Sequence, residues 1–257
     1  MVFANESCEN PRTMNPTSSY AFTIMVPLYN ERDNLARLEE RLSAYVAATT
    51  AGPACVLLVD DGSTDGGGEL VAEICARHKD FFYLRLQRNS GLSAALKAGF
   101  EACASPFAGY IDADLQTDPE DFELLLPYIA NYEMVTGIRT KREDGLVKRI
   151  SSRIANAWRR MMTGDGMSDT GCPLKLFQTG CAKRLPMFSG MHRFLPALVL
   201  ASGGRVKQVP VHHHPRISGH SKYHLSNRLW GPFVDCLAYR WMRRRWIDVR
   251  IESDNLH

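Results

Sequence analysis

Apolar runs of strand length alternate, over the first 140 residues, with segments in which apolar residues recur at helical spacing. The run FTIMVPLYN precedes apolar residues that are spaced to share one face of a helix, namely Leu35, Leu38, Leu42 and Val46. Four more strand-length runs are ACVLLVDD, FFYLRLQRN, FAGYIDADL and YEMVTGIR, and helical segments separate them. Strands that alternate with helices through short connections favour a parallel sheet with helices on both faces. The pattern therefore predicts an α/β fold.

Polar residues stand at the end of each predicted strand. These ends carry the sequences YNE, DDGSTD, RN, DADLQ and GIR. In open parallel sheets, ligands bind beyond the carboxyl ends of the strands. We therefore expect these polar groups to converge at one edge of the sheet and to form the functional site there.

The DADLQ sequence is the strongest candidate for a cation site. Residues two apart in extended backbone face the same side, so Asp112 and Asp114 can point together, with the Gln116 carbonyl beside them. Oxygen ligands of this kind suit Mg²⁺ or Mn²⁺, which would bridge a diphosphate and stabilise it as a leaving group. The simpler alternative is a solvated acidic turn, and Asp118, followed by Pro119, is better explained as a helix N-cap.

A second acidic turn, VDDGSTD, follows another predicted strand. Asp60 and Asp61 cannot both face one ligand, because neighbouring residues in a strand point in opposite directions. We expect one of them to accept hydrogen bonds from a base or ribose while the other holds the turn. Residues 63–65 can also cap the next helix, and the two roles are compatible.

Composition and charge narrow the class of protein. The chain has 257 residues, 45% of them apolar and 23% charged, as in ordinary globular proteins. A net charge of +3 is too small to favour nucleic-acid binding. The seven cysteines contain no CxxC pair, so we expect reduced thiols. No apolar stretch reaches the ~18 residues of a membrane-spanning helix, and the N-terminus lacks a signal-peptide pattern, so a cytoplasmic location is predicted.

The chain is predicted to contain one large domain between two short ends. Residues 1–20 are polar and aperiodic, which predicts a disordered tail. Residues 21–224 would form the α/β domain, and residues 225–257 a basic amphipathic helix and tail. Within the large domain, the sequence HHHP does not favour a zinc site. Three consecutive histidines cannot all face one ion from a strand, although His212 and His214 would share a face.

The motifs VPLYNE, VDDGSTD, RNSGLSAALKAG, DADLQTDPE, GIR, DTGCPLKLF and RISGHSKY, in this order, resemble the inverting family-two glycosyltransferases. The dolichol- or polyprenyl-phosphate mannosyltransferase branch is the most similar. The resemblance covers roughly residues 22–245 and implies the GT-A fold, in which a Rossmann-like, mostly parallel sheet binds a nucleotide. It implies that the residues lining the nucleotide are Pro27, Tyr29, Glu31, Asp60, Asp61, Asn89 and Lys97.

The same resemblance implies roles on the catalytic and acceptor sides. A divalent metal, Mg²⁺ or Mn²⁺, would be held by Asp112, Asp114 and Gln116. Arg139 and Arg216 would stabilise charge on the departing diphosphate, and the segment RISGHSKY would close over it. The residues implied for the acceptor phosphate are Lys148, Arg149, Ser152, Ser221 and Lys222. A plain solvated basic helix is the alternative for LVKRISSRIANAWRRMM.

The C-terminal segment combines apolar, aromatic and basic residues. Between residues 216 and 250 there are eight Lys or Arg and two Asp. A basic amphipathic helix with tryptophans is typical of proteins that lie on an anionic membrane surface. Ordinary packing of its apolar face against the domain is the alternative, and both remain open. Membrane attachment would be peripheral.

These observations predict an enzyme that transfers a hexosyl group from a GDP- or UDP-linked sugar to a polyprenyl phosphate, at the cytoplasmic face of a membrane. The first alternative is transfer to a sugar hydroxyl of a lipopolysaccharide or another cell-surface glycan. A hydroxyl acceptor needs a general base, and Asp169 is the only candidate after the DADLQ segment. The second alternative is a catalytically silent scaffold, which should show no metal-dependent nucleotide binding.

Overall fold

A computed structural model describes residues 15–139, 157–214 and 227–247 of the chain. The strands in these ranges are β1 (Phe22–Leu28), β2 (Ala54–Asp60), β3 (Phe81–Arg85), β4 (Phe107–Tyr110), β5 (Met134–Arg139), β6 (Lys175–Gln178) and β7 (Val206–Val211). The helices are α1 (Leu35–Ala48), α2 (Gly67–Arg77), α3 (Leu92–Ala102), α4 (Phe122–Leu125), α5 (157–163), α6 (Thr179–Arg184), α7 (Leu195–Ala201) and α8 (Asn227–Arg243).

The strands form one sheet in the order β3-β2-β1-β4-β6-β5-β7. All neighbouring strands run parallel except β6, which is antiparallel to both β4 and β5. The predicted α/β fold with a mostly parallel sheet is confirmed. The strands β6 and β7 were not among the five predicted, and β6 lies at the end of a stretch whose glycines and polar residues indicate turns.

Helices cover both faces of the sheet, as predicted. All seven residues of β1 are buried, which is typical of a parallel strand enclosed on both sides. Ile24 contributes to a core shared with α1, α2 and α4, whereas Met25 contributes to a core shared with α3, α6, α7 and α8. Helix α1 buries Leu35, Leu38 and Leu42 at the spacing that the sequence indicated.

The reversed direction of β6 determines which residues reach the functional edge. The six parallel strands bring their carboxyl ends to this edge, and β6 brings its amino end. Lys175, the first residue of β6, therefore lies between Tyr110 of β4 and Thr136 of β5. Residues 169–174, which lead into β6, approach the same edge.

The two ends of the chain differ from the prediction where they are described. The disordered tail predicted for residues 1–20 is too long, because Pro16–Ser19 form a 3₁₀ helix in which Thr17 is buried. Thr17 accepts a hydrogen bond from the amide of Ala104, so this segment is tied to the domain. At the other end, α8 packs on the domain through Cys236 and Tyr239.

Candidate active site

The loops that follow β1 and β2 are joined through Asn30. Its backbone amide donates to Ser63 Oγ at 2.9 Å, and its side-chain oxygen accepts from the Thr64 amide at 2.8 Å. Of the predicted nucleotide-lining residues, Pro27 is buried within β1, while Tyr29 and Glu31 are half-buried at the edge. The sequence therefore brings Tyr29 and Glu31 to the expected edge, on a loop that is fixed to its neighbour.

Asp60 lies inside the protein and holds the turn after β2. Its exposure is 0%, one oxygen accepts from the Ser63 amide at 2.9 Å, and the other lies 3.2 Å from Nε of Arg85. A Cβ atom on Gly68 would lie 2.6 Å from the second oxygen, so the backbone of α2 closes over it. This enclosure does not fit the prediction that Asp60 contacts the nucleotide, and it gives Asp60 the turn-holding role that the sequence left open between the two aspartates.

Asp61, after β2, holds the loop that precedes α3. Its carboxylate accepts hydrogen bonds from the amides of Ser90 and Gly91, both at 2.7 Å. The close approach requires Gly62, which has a φ of 70° and whose Cβ would lie 2.6 Å from the backbone of Arg88. Asn89 is exposed beside this contact, and Lys97 is exposed farther along α3.

The DADLQ residues alternate between buried and partly exposed. Asp112, Asp114 and Gln116 are partly exposed, whereas the residues between them, Ala113 and Leu115, are buried. All three oxygen-bearing side chains are therefore partly accessible at the same loop. Two carboxylates and one amide carbonyl form a set of hard oxygen donors, which fits a small divalent cation.

Tyr110 and Lys175 lie beneath this loop and were not among the predicted site residues. The Tyr110 hydroxyl donates to an oxygen of Asp112 at 2.6 Å, and Lys175 Nζ lies 5.5 Å from the centre of the Tyr110 ring. Burial, followed by the charge of Asp112, raises the pKa of Tyr110 well above its usual value, so it remains a donor. Burial lowers the pKa of Lys175, whose ammonium donates to the Cys172 carbonyl. Tyr110 was detectable in the sequence, because it lies two residues before Asp112.

Arg139, at the end of β5, forms a two-pronged ion pair with Asp169. Nε and Nη2 each lie 2.8 Å from a carboxylate oxygen. Burial raises the pKa of Asp169, but the hydrogen bonds and charge of Arg139, together with backbone amides, outweigh it and bring this pKa to about 2. A carboxylate with so low a pKa and with both oxygens engaged is a weak general base.

His192, in the segment before α7, lies beside Ser93 at the start of α3. Ser93 Oγ accepts from the His192 backbone amide at 3.1 Å and lies 2.8 Å from its Nδ1. The hydroxyl can donate to Nδ1 or accept from it, according to which ring nitrogen carries the hydrogen. Burial, and then the charges of Arg193 and Lys175, lower the pKa of His192 to about 3, so the ring is neutral.

Six predicted residues fall outside the described ranges. They are Lys148, Arg149, Ser152, Arg216, Ser221 and Lys222. Their roles at the acceptor phosphate and in the closing segment therefore stay predictions.

Helix α8 has two unlike faces. On one face Tyr239 stacks on Phe194 at 5.6 Å between ring centres and donates to the Ala197 carbonyl at 3.1 Å. On the other face Leu237 and Trp241 are 46% and 61% exposed. Exposed arginines flank this second face, namely Arg240, Arg244 and Arg245. A search of the described residues for a helix long and apolar enough to span a bilayer found none.

Comparison with known families gives one match that covers most of the chain. Residues 23–185 match the family described as Glycosyl transferase family 2. The chain is 32% identical over 238 residues to dodecaprenyl-phosphate galacturonate synthase of Rhizobium johnstonii, covering 90% of this chain and 70% of that protein. It is 32% identical over 212 residues to undecaprenyl-phosphate 4-deoxy-4-formamido-L-arabinose transferase of Pseudomonas fluorescens, covering 82% of this chain and 62% of that protein. The chain thus spans about two thirds of the length of these relatives.

Solved structures of low sequence identity share the fold. A mannosyltransferase from Pyrobaculum calidifontis, in complex with GDP-mannose and Mn²⁺, has a TM-score of 0.60 at 18% identity over 90% of this chain and 65% of that one. Glucosyl-3-phosphoglycerate synthase from Mycobacterium tuberculosis, in complex with Mn²⁺ and UDP-glucose, has a TM-score of 0.62 at 16% identity over 91% and 82%.

Proposed function

Because the chain belongs to glycosyl transferase family 2 and is a glycosyltransferase, we propose that it transfers a hexosyl group from a nucleotide diphosphate sugar to a polyprenyl phosphate, with inversion at the anomeric carbon. The names of the two relatives described above, one acting on dodecaprenyl and one on undecaprenyl phosphate, support this acceptor class. The GT-A fold that the chain shares with its structural neighbours supports a nucleotide-sugar donor.

The donor would lie beyond the carboxyl ends of β1, β2 and β4. Asp112, Asp114 and Gln116 are partly exposed on one loop and are the residues that would hold Mg²⁺ or Mn²⁺. A bound divalent ion would offset the charge that develops on the departing diphosphate. Tyr110 would keep the Asp112 carboxylate in a fixed orientation through its hydroxyl group.

The single observation that favours a phosphate acceptor is the pairing of Asp169 with Arg139. A sugar hydroxyl must lose a proton as it attacks, so an enzyme acting on it needs a general base. Asp169, the candidate base that the sequence offered after the DADLQ segment, is held by Arg139 through both oxygens and has a pKa of about 2. A phosphate is already anionic at neutral pH, so it needs positioning more than deprotonation.

The acceptor phosphate would be positioned by basic and hydroxyl side chains from two segments. We assign this role to Lys148, Arg149 and Ser152 before α5 and to Ser221 and Lys222 before α8, on the basis of the family motifs. Arg216 would approach the diphosphate when its segment closes over the donor. Arg139, fixed by Asp169, would supply a second positive charge at the same edge.

The exposed face of α8 is proposed to lie on the cytoplasmic surface of the membrane that contains the lipid acceptor. Leu237 and Trp241 are exposed on this face, and the Arg245 guanidinium lies 4.7 Å from the centre of the Trp241 ring. An apolar and basic surface of this kind binds interfaces that carry anionic lipids. We expect Trp241→Ser to weaken sedimentation with phosphatidylglycerol vesicles at least about fivefold, since aromatic anchoring is lost. Tyr83→Ser removes an exposed aromatic residue of β3, at one edge of the sheet, and this variant should sediment as the wild type does.

The proposed reaction can be tested with the purified full chain and radiolabelled sugar nucleotides. GDP- and UDP-linked hexoses are offered with Mn²⁺, Mg²⁺ or a chelator, and with undecaprenyl phosphate or a soluble glycan as acceptor. We expect label to enter the lipid fraction only in the presence of the metal, and Asp114→Asn to abolish the transfer. Asp33→Asn, which removes an exposed carboxylate beyond β1, is the matched control and should remain active.

Two results would contradict the proposal. Transfer to the soluble glycan without any transfer to undecaprenyl phosphate would show that the acceptor is a hydroxyl. Calorimetry that detects no binding of GDP or UDP with or without Mn²⁺ would indicate a protein that has kept the fold without the catalytic activity.

A further inference from the structure

The segment 212–214 lies directly against the loop that follows β4. The His214 amide donates to the Gln116 carbonyl at 2.8 Å, and the Gln116 side chain donates back to the His214 carbonyl at 3.2 Å. The His212 amide donates to Asp121 at 2.6 Å. These hydrogen bonds hold the backbone beyond β7 alongside residues 116–121. They bring His212 to Asp121 and His214 to Asp118.

Two imidazoles and two carboxylates meet along this contact. His212 Nδ1 lies 2.8 Å from Asp121 Oδ1, and His214 Nε2 lies 2.6 Å from Asp118 Oδ2. Ligand atoms of Asp118, Asp121 and His212 all lie within 4.8 Å of one another. His212 and His214 share a side, as expected for residues two apart in extended backbone. The stretch HHHP alone did not favour a zinc site, and the two aspartates lie about ninety residues earlier in the chain.

Each carboxylate is held through one oxygen and presents the other to an imidazole. Asp118 accepts from Arg41 through Oδ1 at 3.0 Å, and Asp121 accepts from the His212 amide through Oδ2. Asp118 stands at the N-cap position of the turn Pro119–Asp121, but its side chain makes no capping hydrogen bond. Carboxylates that are oriented by hydrogen bonds through one oxygen are typical of the ligands in metal sites.

We propose that Asp118, Asp121 and His212 form a second cation site, separate from Asp112 and Asp114, that binds a borderline transition-metal ion such as Zn²⁺, while His214 orients Asp118. Two carboxylate oxygens and one imidazole nitrogen suit Zn²⁺ with a fourth tetrahedral position open, whereas Mg²⁺ prefers oxygen ligands only.

The geometry requires only small movements to accept the ion. With metal to ligand distances of about 2.0 to 2.2 Å, ligand atoms in a tetrahedral site lie about 3.3 Å apart. The ligand atoms of Asp118, Asp121 and His212 now lie within 4.8 Å of one another, so each separation must change by less than about 2 Å. The His212 and His214 side chains are 72% and 50% exposed and can move without repacking the core. A bound ion would link the backbone beyond β7 to the loop that carries Asp112, Asp114 and Gln116, the candidate metal ligands of the sugar-nucleotide site.

The site can be tested by titrating the full chain, free of any polyhistidine tag and without nucleotide, with Co²⁺ as a spectroscopic probe. Tetrahedral Co²⁺ absorbs strongly in visible light, and Zn²⁺ should displace it. We expect one equivalent of tetrahedral Co²⁺ in the wild type and in Asp112→Asn. We expect at least about a tenfold loss of affinity in His212→Gln and in His214→Gln. Because both histidines are exposed, these variants should unfold at the wild-type temperature in the absence of metal.

His78→Gln is the matched control. His78 pairs with Glu39 at the same 2.8 Å separation, but no group of metal ligands surrounds that pair in the described ranges. It should bind Co²⁺ as the wild type does. The proposal is overturned if no tetrahedral Co²⁺ spectrum develops, or if the affinity survives both histidine substitutions. Loss of the spectrum in Asp112→Asn would also overturn it, by assigning the ion to the donor site. If Asp112→Asn still binds Co²⁺ but no longer transfers sugar, the cation site and the proposed reaction depend on different residues.

Discussion

The pair formed by Arg139 and Asp169 should make a measurable contribution to stability. Its side chains are 14% and 12% exposed, and the pairing outweighs burial to lower the pKa of Asp169 from 3.8 to about 2. A difference of nearly two pH units corresponds to about 2 to 3 kcal/mol in favour of the charged carboxylate. We therefore expect Asp169→Asn to lower the free energy of unfolding by about 2 to 3 kcal/mol at neutral pH, measured by urea denaturation.

The pH dependence gives this prediction a second test. Because the pKa of Asp169 is lower in the folded protein than in the unfolded chain, its contribution is complete above the unfolded value of 3.8 and is lost as the pH falls toward 2. The difference between the wild type and Asp169→Asn should therefore stay constant between about pH 8 and pH 5. A difference that fades within this interval would show that the pKa of Asp169 is raised in the folded protein instead of lowered, and the reasoning would be refuted.

A second arginine–carboxylate pair provides the control for burial. Arg77 also reaches both oxygens of its partner, Glu39, at 2.8 and 3.0 Å, but its side chain is 51% exposed. Exposed ion pairs contribute about 0 to 1 kcal/mol, because water screens the charges. We expect Glu39→Gln to cost less than about 1 kcal/mol in the same denaturation experiment. An equal or larger loss than in Asp169→Asn would show that burial does not set the strength of these pairs.

Three further substitutions have defined outcomes. Tyr110→Phe removes the hydroxyl that orients Asp112, so calorimetry should show Mn²⁺ affinity lowered roughly 10- to 100-fold with little change in melting temperature. Gly62→Ala places a Cβ 2.6 Å from neighbouring backbone at a φ of 70°, and urea denaturation should show a loss of more than about 2 kcal/mol. Ser93→Ala leaves Nδ1 of the buried His192 without its hydrogen bond, and the same measurement should show a loss of about 1 to 3 kcal/mol.

Most of the fold followed from the sequence because the decisive signal is local. Strand-length apolar runs and helical spacing predicted five of the strands and the helices between them. Features that depend on contacts distant in sequence were missed. β6 is only four residues long and is completed by its neighbours β4 and β5, and β7 pairs with β5. Asn30 has a φ of 52° and binds the loop after β2, so a 3₁₀ turn at Arg32–Asn34 precedes α1.

The candidate site was predictable in position but not in detail. Because ligands bind beyond the carboxyl ends of parallel strands, the YNE, DDGSTD and DADLQ residues were expected at one edge of the sheet, and the structure has them there. Which of Asp60 and Asp61 faces inward could not be chosen, since it depends on Arg85 and on the close approach of α2. The partner of Asp169 was equally out of reach, because Arg139 lies thirty residues earlier and the two meet only across the sheet.

The reversed strand β6 sets the spacing of the groups at the centre of the site. It separates β4, which leads to Asp112, from β5, which ends in Arg139. Neighbouring strands lie about 4.8 Å apart, so the acidic loop and the arginine are attached to strands about 10 Å apart. Lys175, at the amino end of β6, lies between these two strands. The segment before β6 contributes Asp169, the partner of Arg139. A shorter gap would let Arg139 pair directly with the candidate metal ligands and remove their charge, whereas the inserted strand gives the arginine its own carboxylate. In the proposed reaction, this spacing would keep Arg139 and its partner Asp169 apart from Asp112 and Asp114, with a diphosphate between them.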